Sequence, residues 1–341
     1  MKIIYELYGE YYRYAINSNI LEVPDQIRYR EIAYGYKNKV DNRNLSFKSE
    51  EEYKRWVLKN TPFHLYKSLA YMRYPSNSGA KNKEIFRREL AFDIDVHKTE
   101  SCEHRDDWIC KHCLNLAKKQ AQYLIDEFLF PDFGLEEEDI KIVFSGNRGY
   151  HIYLKPRDEN VREIIEKYGK EERRVILNYI LGKNLSLNNI NSAWRRRIIK
   201  ELRKYKISIK GLKNERNWNK ILSKREDKKR IINIIEKVKK FLEIDEKVME
   251  DDIRLLRVIN SLHGYTGFIV KDLTYKELKK FNPLKDAIFK NFENKSFKIE
   301  IKEEIDKIKI NNKTYSSKSK KVSGTALLFL YGHGVKFNLI S

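Results

Sequence analysis

Asp93 and Asp95 are separated by one residue in the stretch Leu90-Ala-Phe-Asp93-Ile-Asp95-Val96, where carboxylates alternate with apolar side chains. That period belongs to a β-strand, in which residues i and i+2 point to one face. The two carboxylates then stand side by side, while Phe92, Ile94 and Val96 enter a core. Neighbouring carboxylates repel and resist desolvation unless a cation neutralises them, so the pair reads as a seat for a hard divalent metal. The plain alternative is the solvated face of an edge strand. Asp245, in Leu242-Glu-Ile-Asp245-Glu-Lys-Val248, is a candidate third carboxylate.

Two further stretches offer donors suited to phosphate. Ser145-Gly-Asn-Arg148-Gly-Tyr-His151 places a hydroxyl, a guanidinium and an imidazole around a glycine turn, where backbone can approach a ligand and the side chains can reach phosphate oxygens. Arg254-Leu-Leu-Arg257-Val-Ile-Asn-Ser261-Leu-His263-Gly-Tyr-Thr-Gly267 repeats that chemistry. No Gly-x-x-x-x-Gly-Lys-Ser/Thr motif occurs, which argues against a P-loop NTPase.

The three cysteines, Cys102, Cys110 and Cys113, fall within twelve residues. A disulfide framework would spread them along the chain. Cys102-Glu-His104 followed by Cys110-Lys-His-Cys113 instead supplies four ligands for one tetrahedral Zn²⁺, a closed structural site. His112 competes with His104 as the fourth ligand, and its place inside the Cys-x-x-Cys loop predicts that it turns outward.

These residues need elements to position them. Tyr5, Tyr8, Tyr11 and Tyr12 recur at helical spacing and predict a helix whose rings are mostly core. Tyr29 to Tyr34 reads as a strand. Ser49 and Glu52 have capping-box spacing ahead of a short helix closed by Pro62. A strand over Ser68 to Tyr74 and the acidic strand follow. Leu114, Ala117, Ala121, Leu124, Ile125 and Phe128 predict a helix, and Ile140–Phe144 with His151–Leu154 a tight antiparallel pair. From Val161 to Lys240 the chain is helical and basic, and strand-and-loop character returns over Leu255 to Val270. Ser316 to Lys321 predicts a mobile loop before the apolar run Ala326 to Leu330. Helices and strands alternate without a regular βαβ rhythm, which predicts an α+β fold with a mixed, mostly antiparallel sheet.

The 341 residues carry 41% hydrophobic side chains, with 22 Tyr and 16 Phe, enough to fill a core despite 35% charge, so the chain is not disordered. Its 70 Lys and Arg against 49 Asp and Glu give +21, which points to a polyanionic partner, nucleic acid first. Residues 195–240 hold 19 Lys and Arg against 5 Asp and Glu, a net of +14. So concentrated a charge favours a phosphate-contacting surface over a compositional bias. No apolar run approaches membrane-spanning length and no cleavable signal pattern opens the chain; a cytoplasmic, nucleoid-associated protein with no membrane partner is expected.

Taken together, the chain resembles the small catalytic subunit of archaeal and eukaryotic DNA primases. The resemblance rests on Arg30-Glu31, Glu89-Leu-Ala-Phe-Asp93-Ile-Asp95, the Cys/His knuckle after it, Ser145-Gly-Asn-Arg148-Gly-Tyr-His151, and Ser261-Leu-His263-Gly-Tyr-Thr-Gly267, with Asp245 lying 18 residues before His263. One departure is Asn147, where eukaryotic members carry a second arginine. The resemblance implies an archaeo-eukaryotic primase core over 1–160 and 241–341, a zinc knuckle at 101–114 inserted in it, and a basic helical subdomain over 161–240. It implies that Asp93, Asp95 and Asp245 bind catalytic Mg²⁺ or Mn²⁺, and that Ser145, Arg148, His151, Arg257 and His263 hold the incoming nucleotide. The implied activity is two-metal, template-directed synthesis of short RNA primers, extending to DNA, on single-stranded DNA with release of pyrophosphate, in a heterodimer with a large subunit. Two alternatives share parts of this inventory. One is a stand-alone primase-polymerase or end-joining polymerase, disfavoured because no helicase, ligase or nuclease segment is attached. The other is a non-catalytic zinc-containing nucleic-acid-binding protein, disfavoured by three carboxylates that would repel a polyanion without metal.

Overall fold

In a computed structural model, residues 2–104 and 108–340 are described; positions 105–107 of the expected 101–114 knuckle lie outside them. Among the described residues two four-stranded antiparallel sheets carry the centre of the molecule. The first runs Asn42–Leu45, Ile32–Gly35, His64–Ser68, Leu255–Arg257. The second runs Lys271–Leu273, Ile140–Phe144, Gly149–Leu154, Leu90–Asp95. The α+β class with antiparallel sheets read from the sequence is the observed one.

The acidic strand obeys its alternation. Phe92, Ile94 and Val96 are fully buried, on the side of the sheet covered by the helix Lys111–Leu124. Ala91 lies on the other side, in a small apolar cluster with Leu69, Val143, Tyr153, Leu256 and Val270 that draws on both sheets. The carboxylates of Asp93 and Asp95 follow Ala91 on that face and open between the sheets.

Several local readings shift. The expected strand over Tyr29 to Tyr34 begins only at Ile32, because a 3₁₀ turn occupies Ile27–Tyr29 and Arg30 is committed to buried bonds. Its Nη1 donates to the carbonyls of Ser68 at 2.8 Å and Leu69 at 3.0 Å, and its Nη2 pairs with Glu89 at 3.0 Å. The expected strand from Ser68 to Tyr74 is two strands, His64–Ser68 and Ala70–Met72, that join different sheets. Leu69 is the break, since its N–H bonds the Arg254 carbonyl and its carbonyl accepts from Glu89 N–H. Ser49 caps the helix Glu50–Asn60, but the Glu52 carboxylate accepts from Lys48 N–H instead of closing a capping box.

The N-terminal helix Lys2–Asn17 buries Tyr8, Tyr11 and Tyr12 and leaves Tyr5 partly exposed. The run Ser316 to Lys321 is a hydrogen-bonded turn whose last residue opens the strand Lys321–Ser323. Ala326 to Leu330 lies in a buried helix, Gly324–Gly332.

Between Glu159 and Lys239 the described structure is helical. Several basic residues there serve as anchors: Arg197 and Arg196 pair with Asp132, Lys200 with Glu127, and buried Arg173 with Asp252. Arg197 is buried with its guanidinium 3.7 Å from the centre of the Phe128 ring. Part of the dense positive charge is therefore internal, spent on joining the helical lobe to the end of the Lys111–Leu124 helix. No helix among the described residues is long and apolar enough to cross a membrane.

Candidate active site

A cleft of about 200 Å³ opens between the two sheets, lined by Asp93, Asp95, Asp245, Ser145, Asn147, His151, Arg254, Arg257, His263, Lys39 and Tyr66 among others. Side chains scattered over more than two hundred residues of sequence meet there through three backbone devices.

The first is cross-strand register. Asp93 pairs with His151 and Asp95 with Gly149. Directly opposed residues in an antiparallel ladder share a face, and His151 Nε2 lies 3.6 Å from Asp93 Oδ1. The second is a one-residue bridge, Ile94 to Ile244, extended by a hydrogen bond of 2.8 Å from Asp245 N–H to the Asp93 carbonyl. A segment 150 positions downstream is thereby laid along the free edge of the acidic strand. The third is contact between the two glycine loops. Thr266 Oγ1 donates to the Gly146 carbonyl at 2.6 Å, and a Cβ on Gly146 would come within 2.7 Å of His263 Cβ. With φ at +83°, that position needs glycine both for its backbone and for the approach.

At the other wall Arg257 stands opposite Tyr66 in the first sheet. Its Nη1 lies 3.2 Å from His64 Nδ1, and its guanidinium sits 4.7 Å above the Tyr66 ring. A Cβ on Gly264 would come within 2.2 Å of the His64 ring, so the glycine lets the His263 loop close over His64. The N-terminal helix supports the same loop, for the Tyr8 hydroxyl reaches the His263 carbonyl at 3.5 Å.

Electrostatics divide the cleft into two ends. Burial, then the charges of Asp95 and Asp245, push the Asp93 carboxyl up to about 7 despite Arg254 and Arg257 nearby. The acidic end is short of positive charge. Burial, with Arg257 next, pulls His151 down to about 3 and His64 to about 2, and His263 well below its usual value. All three rings are neutral near pH 7. His263 Nδ1 accepts from Tyr265 N–H at 3.2 Å, so the ring proton is assigned to Nε2, a donor.

Seven of the eight side chains expected at the nucleotidyl-transfer site line the cleft. Arg148 does not: it sits half-buried at the hairpin tip, its carbonyl accepting from Val96 N–H at 3.4 Å, while Asn147 faces inward. Sequence reasoning missed Arg254, Tyr66, Lys39 and His64. His64 and Tyr66 were recoverable, since they share one face of a strand by the alternation that marks Asp93 and Asp95. Lys39, in an exposed turn, carries no such signal.

The cysteine cluster is a separate site. Ligand atoms of Cys102, His104, Cys110 and Cys113 lie within 4.8 Å of one another, with 3.7 Å between the sulfurs of Cys102 and Cys110 and 3.9 Å from Cys113 Sγ to His104 Nε2. Metal–sulfur bonds of about 2.3 Å give tetrahedral edges of about 3.7 Å, so the four could hold one ion. His112 is exposed on the helix and takes no part. Without an ion, burial and the neighbouring sulfurs push the Cys113 thiol up to about 12. Trp108, fully buried, joins this loop to the C-terminal helix by edge contact with Phe329 at 5.1 Å.

Residues 92–275 match the family model described as DNA primase small subunit. The DNA primase small subunit PriS of Methanocaldococcus jannaschii is 64% identical over 99% of this chain and 98% of its own length. That of Methanococcus maripaludis is 52% identical over 98% and 95%, and that of Thermoplasma volcanium 29% over 89% and 87%.

Proposed function

The chain belongs to the DNA primase small-subunit family and is a DNA-directed nucleotidyltransferase, the catalytic subunit of a primase, and on that premise we propose how its cleft divides the work. Asp93, Asp95 and Asp245 hold divalent Mg²⁺ or Mn²⁺. The donor set supports this, being all hard oxygen, and so does the crowding of buried carboxylates, in which burial and then the charges of Asp95 and Asp245 push the Asp93 carboxyl up. Bound there, such ions lower the pKa of the attacking hydroxyl and neutralise charge on the triphosphate.

The chain's own groups bind and orient. Arg257, locked against His64 and Tyr66, offers a fixed guanidinium to phosphate oxygens. His263 donates from Nε2, and Ser145 and His151 supply further polar contacts from the hairpin, with Arg148 reaching from the rim. Phosphoryl transfer depends mainly on positioning and charge neutralisation, and the nucleophile is the hydroxyl of the primer or of the first nucleotide.

One observation carries this reading: the main-chain seam that lays Asp245 beside Asp93, joining three carboxylates to a wall of phosphate donors. The test is incubation of the purified chain with single-stranded DNA, nucleoside triphosphates and Mn²⁺. Short oligonucleotides are expected from the wild type and none from Asp93→Ala or Asp95→Ala. Near-normal synthesis by either variant would refute the assignment.

We further assign Zn²⁺ to Cys102, His104, Cys110 and Cys113 as a structural ion, since four protein ligands leave no position open for substrate. Single-stranded DNA template, nucleoside triphosphates and a large subunit in a heterodimer are the partners, the last because the relatives are themselves named small subunits. The exposed basic residues of 161–240 are the template-facing surface, and the working place is the nucleoid in the cytoplasm.

A further inference from the structure

Arg254 stands between the acidic and the phosphate-facing ends of the cleft. Its backbone is fixed at the edge of the first sheet, where its carbonyl accepts from Leu69 N–H at 2.9 Å. Its side chain crosses toward the second sheet, and Nη2 pairs with Oδ2 of Asp245. The guanidinium also acts on Asp93 and His151. Both members of the pair are 29% exposed, so the contact is a weak one in free-energy terms.

That weakness sets Arg254 apart from Arg257, three residues on, which is held against two rings and 5% exposed. A guanidinium fork fits a carboxylate and a phosphate equally well. A carboxylate oxygen engaged by arginine is also an oxygen withheld from a cation. We propose that Arg254 is an exchangeable positioning residue: it occupies Asp245 while the site lacks divalent ions, and passes its guanidinium to the triphosphate when ions take that carboxylate. The inference rests on the reading of this cleft as a metal and triphosphate site. It makes ion and nucleotide binding mutually reinforcing, because each removes an obstacle to the other.

The test uses the full chain without template, as wild type, Arg254→Ala, Arg254→Lys and Asp93→Ala. Mn²⁺ affinity is read from the electron paramagnetic resonance signal of the free ion in the absence of nucleotide. Nucleotide affinity is read from the anisotropy of a fluorescent ATP analogue at saturating Mn²⁺. Arg254→Ala is expected to bind Mn²⁺ about fivefold more tightly than wild type, the upper range for an exposed ion pair, and the nucleotide about tenfold more weakly, as for loss of a charge-assisted bond. Arg254→Lys keeps the charge and loses the fork, and should move both affinities in the same directions by less. Mn²⁺ affinity unchanged or weakened in Arg254→Ala would overturn the placeholder role, and unchanged nucleotide affinity would overturn the transfer. If Asp93→Ala binds Mn²⁺ as tightly as wild type, it is the underlying reading of the carboxylates that fails.

Discussion

Arg30 and Glu89 form an ion pair of 3.0 Å in which neither side chain has meaningful access to solvent. Arg30 precedes the first sheet's Ile32–Gly35 strand, and Glu89 immediately precedes the acidic strand. The pair, with Lys155 on Glu89 at 2.8 Å, joins the two walls of the cleft.

Removing one partner of a buried pair strands the other charge, at a typical cost of about 3–5 kcal/mol. Arg30→Met should therefore lose that order of stability in urea unfolding, and Arg30→Met with Glu89→Leu should recover only part of it, because the Ser68 and Leu69 carbonyls and Asp25 still lack the guanidinium. Burial opposes ionisation of Glu89, but Arg30, Lys67 and Lys155 outweigh it and hold the carboxyl well below its usual range. A depressed carboxyl contributes stability above its unfolded pKa, and that contribution is lost as pH falls. Wild-type stability should decline below about pH 4.5, and Glu89→Gln should flatten that acid limb.

The neutral histidines act in a higher window. His64 and His263 are held below their unfolded value of 6.5, so below that pH the unfolded chain binds protons that the folded chain refuses. Stability should fall as pH drops from 6.5, at about 1.4 kcal/mol per pH unit for each such group once the unfolded histidine is fully charged. His64→Gln keeps an acceptor for Arg257 and should remove one proton from that slope, measured by urea unfolding between pH 6.5 and pH 5.

Chelation tests the knuckle. Extracting the ion should lower Tm and quench or shift the fluorescence of Trp108, because the loop that carries it is closed by the four ligands. Cys102→Ser should reproduce the effect. Nucleotide binding measured well below the new Tm should be little altered, since the knuckle contributes no residue to the cleft lining.

Charge in the helical lobe should separate into two kinds. Arg197→Ala should cost about 3–5 kcal/mol of stability, as expected for uncovering buried Asp132, with the salt dependence of single-stranded DNA binding unchanged. Lys229→Gln with Arg230→Gln, both exposed, should leave Tm alone and reduce the slope of log K against log salt by about 1.4.

What was legible beforehand follows from the range of the interactions. The alternation in Leu90–Asp95 is local, and it set which side chains are core and which face the cleft. The cysteine spacing is equally local, including the outward turn of His112. The divided strand at Leu69 was not legible, because the break is imposed by bonds to Arg254 and Glu89 rather than by any turn residue. Arg30 displaced the start of its strand for the same reason, since besides Asp25 nearby it is held by the Ser68 and Leu69 carbonyls, 38 and 39 residues away. Arg254 and Asn147 belonged to the two donor-rich stretches singled out in the sequence, but which members of a loop face inward is decided by the opposing loop.

The seam between Asp93 and Asp245 is made by main-chain atoms, so it is indifferent to what either side chain is. On the proposed roles of the carboxylates, a single-base change converting either aspartate to asparagine should silence the chemistry and leave the main-chain seam in place. The seam thus separates the stability of this corner of the fold from the chemistry proposed for it, since the backbone contact survives whatever the side chains become.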